Sequence, residues 1–136
     1  MQVRDLNTAE LASLQAAFDL LARIAGEDHP MSFLGLQNVY NTILSDKPDF
    51  PALVISLGLG FGQKFVETGR YEWVIVSDEY GQETCISPKQ LKINVAPISI
   101  VQKRVDENLS VDLKNLFEET DKAVKDLIES GKYDKR

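Results

Sequence analysis

Cysteine, histidine and tryptophan each occur once in this chain of 136 residues. The single Cys85 excludes an internal disulfide framework and a multi-cysteine zinc site. Set in an apolar segment, it reads as a small core hydrophobe, and one unpaired thiol fits a reducing cytoplasm. His29 stands in the linker EDHP with no second histidine to share a metal, so it reads as a solvated loop residue. Long apolar runs are missing as well. The longest, Phe50 to Phe61, is 12 residues and is broken by Ser56 and two glycines, against the ~20 needed to cross a bilayer. The start, MQVRDLNTAELASL, lacks the basic opening, apolar centre and small-residue cleavage site of a secretory leader. A basic excess is also absent: 15 Lys and Arg face 21 Asp and Glu, a net charge of −6. Non-specific binding of nucleic acid needs a basic face, and none is expected here. An acidic surface instead attracts basic partners.

What is present suits one α+β domain over residues 1–136, with 43% hydrophobic and 26% charged residues. Residues 1–50 carry 3 basic and 7 acidic side chains, residues 51–105 carry 6 and 5, and residues 106–136 carry 6 and 9. A nearly neutral middle therefore lies between acidic flanks. Asn7 followed by Glu10 is a capping-box-like start, with Thr8 as the alternative cap, for a first helix with Leu11, Leu14, Phe18, Leu21 and Ile24 on one stripe, stopped by Gly26. Ser32 caps a second helix whose inward residues are Leu36, Val39, Tyr40 and Ile43. Asp49 and Pro51 open the next element. Further on, YEWVIVS from Tyr71 is rich in aromatic and β-branched residues and reads as a strand. The turn Asp78-Glu79-Tyr80-Gly81 leads to a short returning strand, about 83–87. Leu91, Ile93 and Val95 alternate with polar residues as a third strand would, over about 91–95. The expectation is a three-stranded antiparallel meander made of residues 71–78, 83–87 and 91–95. Pro97 opens a short helix closed by Lys103 and Arg104. Ser110 or Asp112 caps a final helix to about residue 130, and KYDKR reads as a frayed tail.

The glycine-rich stretch before Tyr71 admits two readings. As strand, glycine turn and strand, Gly58 and Gly60 would cradle a dinucleotide and Asp78 would fall where a ribose-binding acid belongs. Against this, the third glycine of the motif is replaced by Gln63. The crossover would be about six residues, where a parallel connection needs a dozen. As one buried helix from about 51 to 68, the same stretch places Gly58, Gly60 and Gly62 where the backbone of another strand or helix can come close. The helix reading is the stronger, and Trp73, Gly81, Pro97 and Arg104 join these glycines as structural residues.

The blocks LGLGFGQKF, EWVIVSDEYG and VAPISIVQKR, in that order over about 53–117, resemble an uncharacterised bacterial domain-of-unknown-function family. The resemblance implies an α+β domain with a small antiparallel sheet. It implies no activity, cofactor or catalytic residue.

Glu72, Asp78, Glu79 and Glu83 form the densest polar group, around the hairpin, with Tyr80 beside them. Such carboxylates could hold a divalent cation or do acid–base work, but the spacing is not that of a calcium loop. Asp78 fits a turn acid bonded to its own backbone. Glu72, if buried, would need Lys103 or Arg104 as a structural partner. With no cofactor and no metal expected, the reading is a non-catalytic cytoplasmic binding protein. Its concrete form is a bacterial immunity protein that neutralises a basic toxin through Glu72, Asp78, Glu79, Tyr80 and Glu83. A small-ligand or metal-dependent enzyme domain using the acidic hairpin and a regulatory adaptor with an unknown protein partner are the alternatives, and the oligomeric state stays open.

Overall fold

The stretch with three glycines at alternate positions is a helix. In the computed structural model, which describes residues 1–28 and 31–136, His29 lies outside the described residues. The elements run β1 (Gln2–Arg4), α1 (Thr8–Ala25), α2 (Phe33–Asp46), α3 (Pro51–Val66), β2 (Tyr71–Asp78), β3 (Gly81–Pro88), α4 (Pro97–Asp106) and α5 (Leu113–Ser130). The class is α+β, with an antiparallel sheet ordered β1-β2-β3.

α1 starts as its sequence dictates. Asn7 Oδ1 accepts from the Glu10 amide at 2.8 Å, and Glu10 Oε1 accepts from the Asn7 amide at 2.9 Å, a complete capping box. Leu14, Phe18 and Leu21 are buried, whereas Leu11 and Ile24, expected on the same stripe, are 53% and 45% exposed. The row that meets α2 and α3 is thus limited to positions 14, 18 and 21. α2 buries Leu36, Val39, Tyr40 and Ile43 behind its Ser32 cap. α3 has Pro51 in its first turn but no side-chain cap. Phe50, not Asp49, holds the capping position.

α3 is buried on nearly every side because it touches all four other helices and both long strands. Its glycines sit where neighbours press hardest. A Cβ on Gly58 would lie 2.6 Å from the Ile98 Cα in α4, and one on Gly62 would lie 2.6 Å from the Trp73 ring and 2.8 Å from Pro97. Gly60 faces the softer Leu21 and Leu36 side chains. The continuous helix leaves no strand–loop–strand crossover, so the dinucleotide reading falls. At its C-terminal end Phe61, Phe65 and Tyr71 stack edge to face, and Phe65 meets Phe117 at 4.5 Å between centroids.

The third strand is not residues 91–95. β1 takes that place on the opposite edge, pairing Val3 with Val76. Residues 91–95 form two isolated bridges instead, Val95 with Ile86 and Leu91 with Lys135. The alternation correctly places Ile93 and Val95 in the core, but period two reports which side chains turn inward and not what the backbone pairs with. Gln90 takes a left-handed conformation and Pro97 has no N–H to donate, so a ladder along β3 is cut at both ends. The C-terminal residues are correspondingly held. The Lys92 amide donates to the Asp134 carbonyl at 2.7 Å, and the Arg136 amide to that of Gln90 at 2.9 Å. They are not a frayed tail.

Gly58→Ala would gain helix propensity, yet its methyl must displace the backbone of α4. The expected loss is about 2–3 kcal/mol in chemical denaturation. Gly60→Ala, opposed only by side-chain ends, costs about 1 kcal/mol or less. Equal losses at the two positions would show that α4 is not held against α3 as described.

Candidate functional site

The β2–β3 register runs to Asp78↔Gly81, which leaves Glu79 and Tyr80 as a two-residue turn. Asp78 Oδ1 accepts from the Tyr80 amide at 2.8 Å, so this acid braces its own turn. Gly81 has φ +129°, a value that side chains rarely tolerate, which explains glycine there. Tyr80 is 90% exposed. Three of the five expected contact residues therefore share one tip. The other two do not join them. Glu83, opposite Val76, accepts from Ser99 Oγ at 2.5 Å. Glu72 lies six residues from Asp78, about 20 Å along the strand, and is paired with Arg136. Glu72 is only partly buried, and its cation is Arg136 and not Lys103 or Arg104. Arg104 donates to the Ile100 carbonyl of its own helix at 3.1 Å, and its charge acts on Tyr40 of α2. Among the described residues, no group of three or more His, Cys, Asp or Glu could hold a metal ion.

A second constellation lies at the opposite end of the sheet, and sequence reasoning missed it. Asp121 of α5, only 6% exposed, accepts from Arg70 at 2.9 and 3.0 Å and from the Tyr71 hydroxyl at 2.7 Å. Lys125, one turn further along α5, closes on its other oxygen at 3.1 Å. Burial pushes the Asp121 carboxyl up, but these donors together outweigh it and hold the group at about 2. Burial and the Asp121 contact push the Tyr71 hydroxyl well above its usual range. The Arg70 guanidinium also lies 5.6 Å from the Tyr71 ring centre. Beside this cluster opens a cavity of about 360 Å³ lined by Arg70, Tyr71, Pro88, Lys89, Val124, Lys125 and Ile128. The i,i+4 spacing of Asp121 and Lys125 is visible in the sequence. Arg70, fifty-one residues earlier, is not.

The profile of DUF3806, a domain of unknown function, matches residues 33–117. The chain belongs to this family. Neither a curated protein nor a solved structure matches it. The DUF3806 segment begins with α2 and ends in the second turn of α5. The hairpin tip lies wholly inside it. The cavity straddles its boundary, with Arg70 to Lys89 inside and Val124, Lys125 and Ile128 beyond.

Asp121→Ala strands the buried Tyr71 hydroxyl and is expected to cost about 2–3 kcal/mol in denaturant unfolding. Arg70→Met costs less, because the guanidinium is half exposed and most of its charge is solvated. The pH profile has two limbs. Asp121, moved from 3.8 to about 2, and Glu10, moved from 4.5 to about 2 by Arg4 and then by the Asn7 amide, have folded values below their unfolded ones. Their stabilisation is present above those unfolded values and is lost as pH falls towards 2. Cys85, pushed from 9.0 to about 12 chiefly by burial, and Tyr71 act in the opposite sense. Stability is lost as pH rises above 9 to 10. Melting temperatures from pH 2 to 11 read both limbs, and Asp121→Asn makes the acid one shallower, leaving the share of Glu10.

Proposed function

We propose that this DUF3806 chain is a non-catalytic protein-binding domain whose contact is the β2–β3 hairpin tip. The observation that carries the reading is Tyr80, 90% exposed on a turn fixed by Asp78 and Gly81. A large amphipathic ring on a rigid turn loses little entropy on docking, and tyrosine is enriched among residues that dominate interface energies. Asp78 and Glu79 flank it, and Glu79 has no partner among the described residues. A tip of this kind suits a basic surface, in a chain whose net charge is −6.

The concrete form of the proposal is a bacterial immunity protein, acting in the cytoplasm, that neutralises a toxin with a basic active site. The lone reduced-type cysteine, buried at position 85, supports the compartment. Among the described residues, no helix is long and apolar enough to cross a membrane.

Co-expression with a toxin encoded beside its gene tests this. Cells survive, the two proteins co-purify, and Tyr80→Ala weakens the complex by about 30-fold, or about 2 kcal/mol. Glu79→Lys leaves the turn intact and slows association, most strongly at low salt. Protection that is absent, or that persists undiminished in the Tyr80→Ala, Glu79→Lys double variant, would sink the reading.

A further inference from the structure

The cavity beside Asp121 combines a concave surface, an apolar floor and a surplus of positive charge. Its volume of about 360 Å³ falls within the range of small-molecule sites. Tyr71, Pro88 and Val124, all buried, form the floor with half-buried Ile128. Arg70, Lys89 and Lys125 are its only charged lining residues, and all three are cations. Among the described residues the one acid paired with them, Asp121, shares its single charge between Arg70 and Lys125. The rim therefore keeps a surplus of two positive charges, in a chain that is acidic overall.

Arg70 is also prepared for a ligand. Asp121 fixes two of its five N–H donors and the Tyr71 ring lies beneath it, so the planar fork is oriented with its other donors uncommitted. The Lys89 ammonium has no partner among the described residues. Its backbone amide donates to the Arg70 carbonyl at 3.2 Å, which holds the two cationic residues side by side.

We propose that this cavity binds a small free carboxylate with an apolar body, its carboxylate between Arg70 and Lys89 and its hydrocarbon on Tyr71, Val124 and Ile128. Charge complementarity selects the anion and the floor selects the apolar body. This site is independent of the hairpin tip and stands or falls separately from the protein-binding proposal.

Octanoate, titrated into the full chain and followed by methyl and aromatic NMR, is the probe. The expected result is saturable shifts confined to Tyr71, Val124 and Ile128. Acetate, which lacks the body, and 1-octanol, which lacks the charge, each bind about tenfold more weakly. Lys89→Gln weakens octanoate by about two- to fivefold with an unchanged melting temperature, since that ammonium makes no ion pair. Ile128→Gln weakens octanoate and leaves acetate unchanged. Octanoate without saturable shifts at these residues, or octanol binding equally well, would overturn the proposal. Tighter binding of a short peptide ending in leucine would overturn the assignment to a small molecule in favour of a chain terminus.

Discussion

The close approach of α4 to α3 is the constraint on which the other contacts depend. Ile98 brings its Cα to where a Gly58 side chain would begin, and Pro97 reaches the same helix at Gly62. α4 can lie that deep only because two successive turns of α3 present bare backbone. With α4 in place, Val95 is delivered to Ile86, where a pair of hydrogen bonds of 2.8 and 2.9 Å caps the edge of β3. Trp73, which meets α3 at Gly62 as Pro97 does, turns its indole N–H to Gln63 at 2.9 Å. One packing event thus protects a sheet edge and satisfies the most demanding aromatic side chain. Glycine lowers the intrinsic stability of a helix by about 1 kcal/mol per residue. Burial of α3 among six neighbouring elements outweighs that cost.

Electrostatics divide the sheet lengthwise. The hairpin tip gathers Asp78 and Glu79, while the opposite end gathers Arg70, Lys89, Lys125 and Arg136 around Asp121 and Glu72. Net charge along the chain conceals this, since residues 51–105 are nearly balanced. The antiparallel register separates the two signs, because Asp78 and Arg70 stand at opposite ends of one strand. A protein of net −6 can therefore present a basic end to one ligand and an acidic end to another.

Much of the fold was legible in the residues. The Asn7 and Ser32 caps, the α3 helix, the hairpin through Gly81 and the end of α5 at residue 130 rest on local chemistry, and each stands in the structure. What was hidden depends on distant partners. β1 is three residues with one half-buried side chain, too short to carry a periodicity. Tail residues 134–136 are polar and gain order from backbone groups of residues 88–92 and from the Glu72 carboxylate. The acidic candidates split on the same ground: adjacency in sequence brought Asp78, Glu79 and Tyr80 together, but Glu72 and Glu83 found Arg136 and Ser99 across the fold. The Arg70–Tyr71–Asp121 cluster joins two elements fifty residues apart, and no local pattern marks it.

The three residues of β1 carry a kinetic consequence. Gln2 pairs with Ser77, so this pairing closes a loop of some seventy-five residues, whereas β2 and β3 close across two. The entropy of closure differs by about 3 kcal/mol on a simple chain estimate. The hairpin closes locally, whereas β1 joins the sheet only against that larger entropic cost. Until it does, the outer edge of β2 is a row of unpaired amides and carbonyls, open to another copy of the hairpin. The bidentate Arg4–Glu10 pair ties the end of β1 to the start of α1. It keeps the strand near its destination and shortens the time for which that edge is bare.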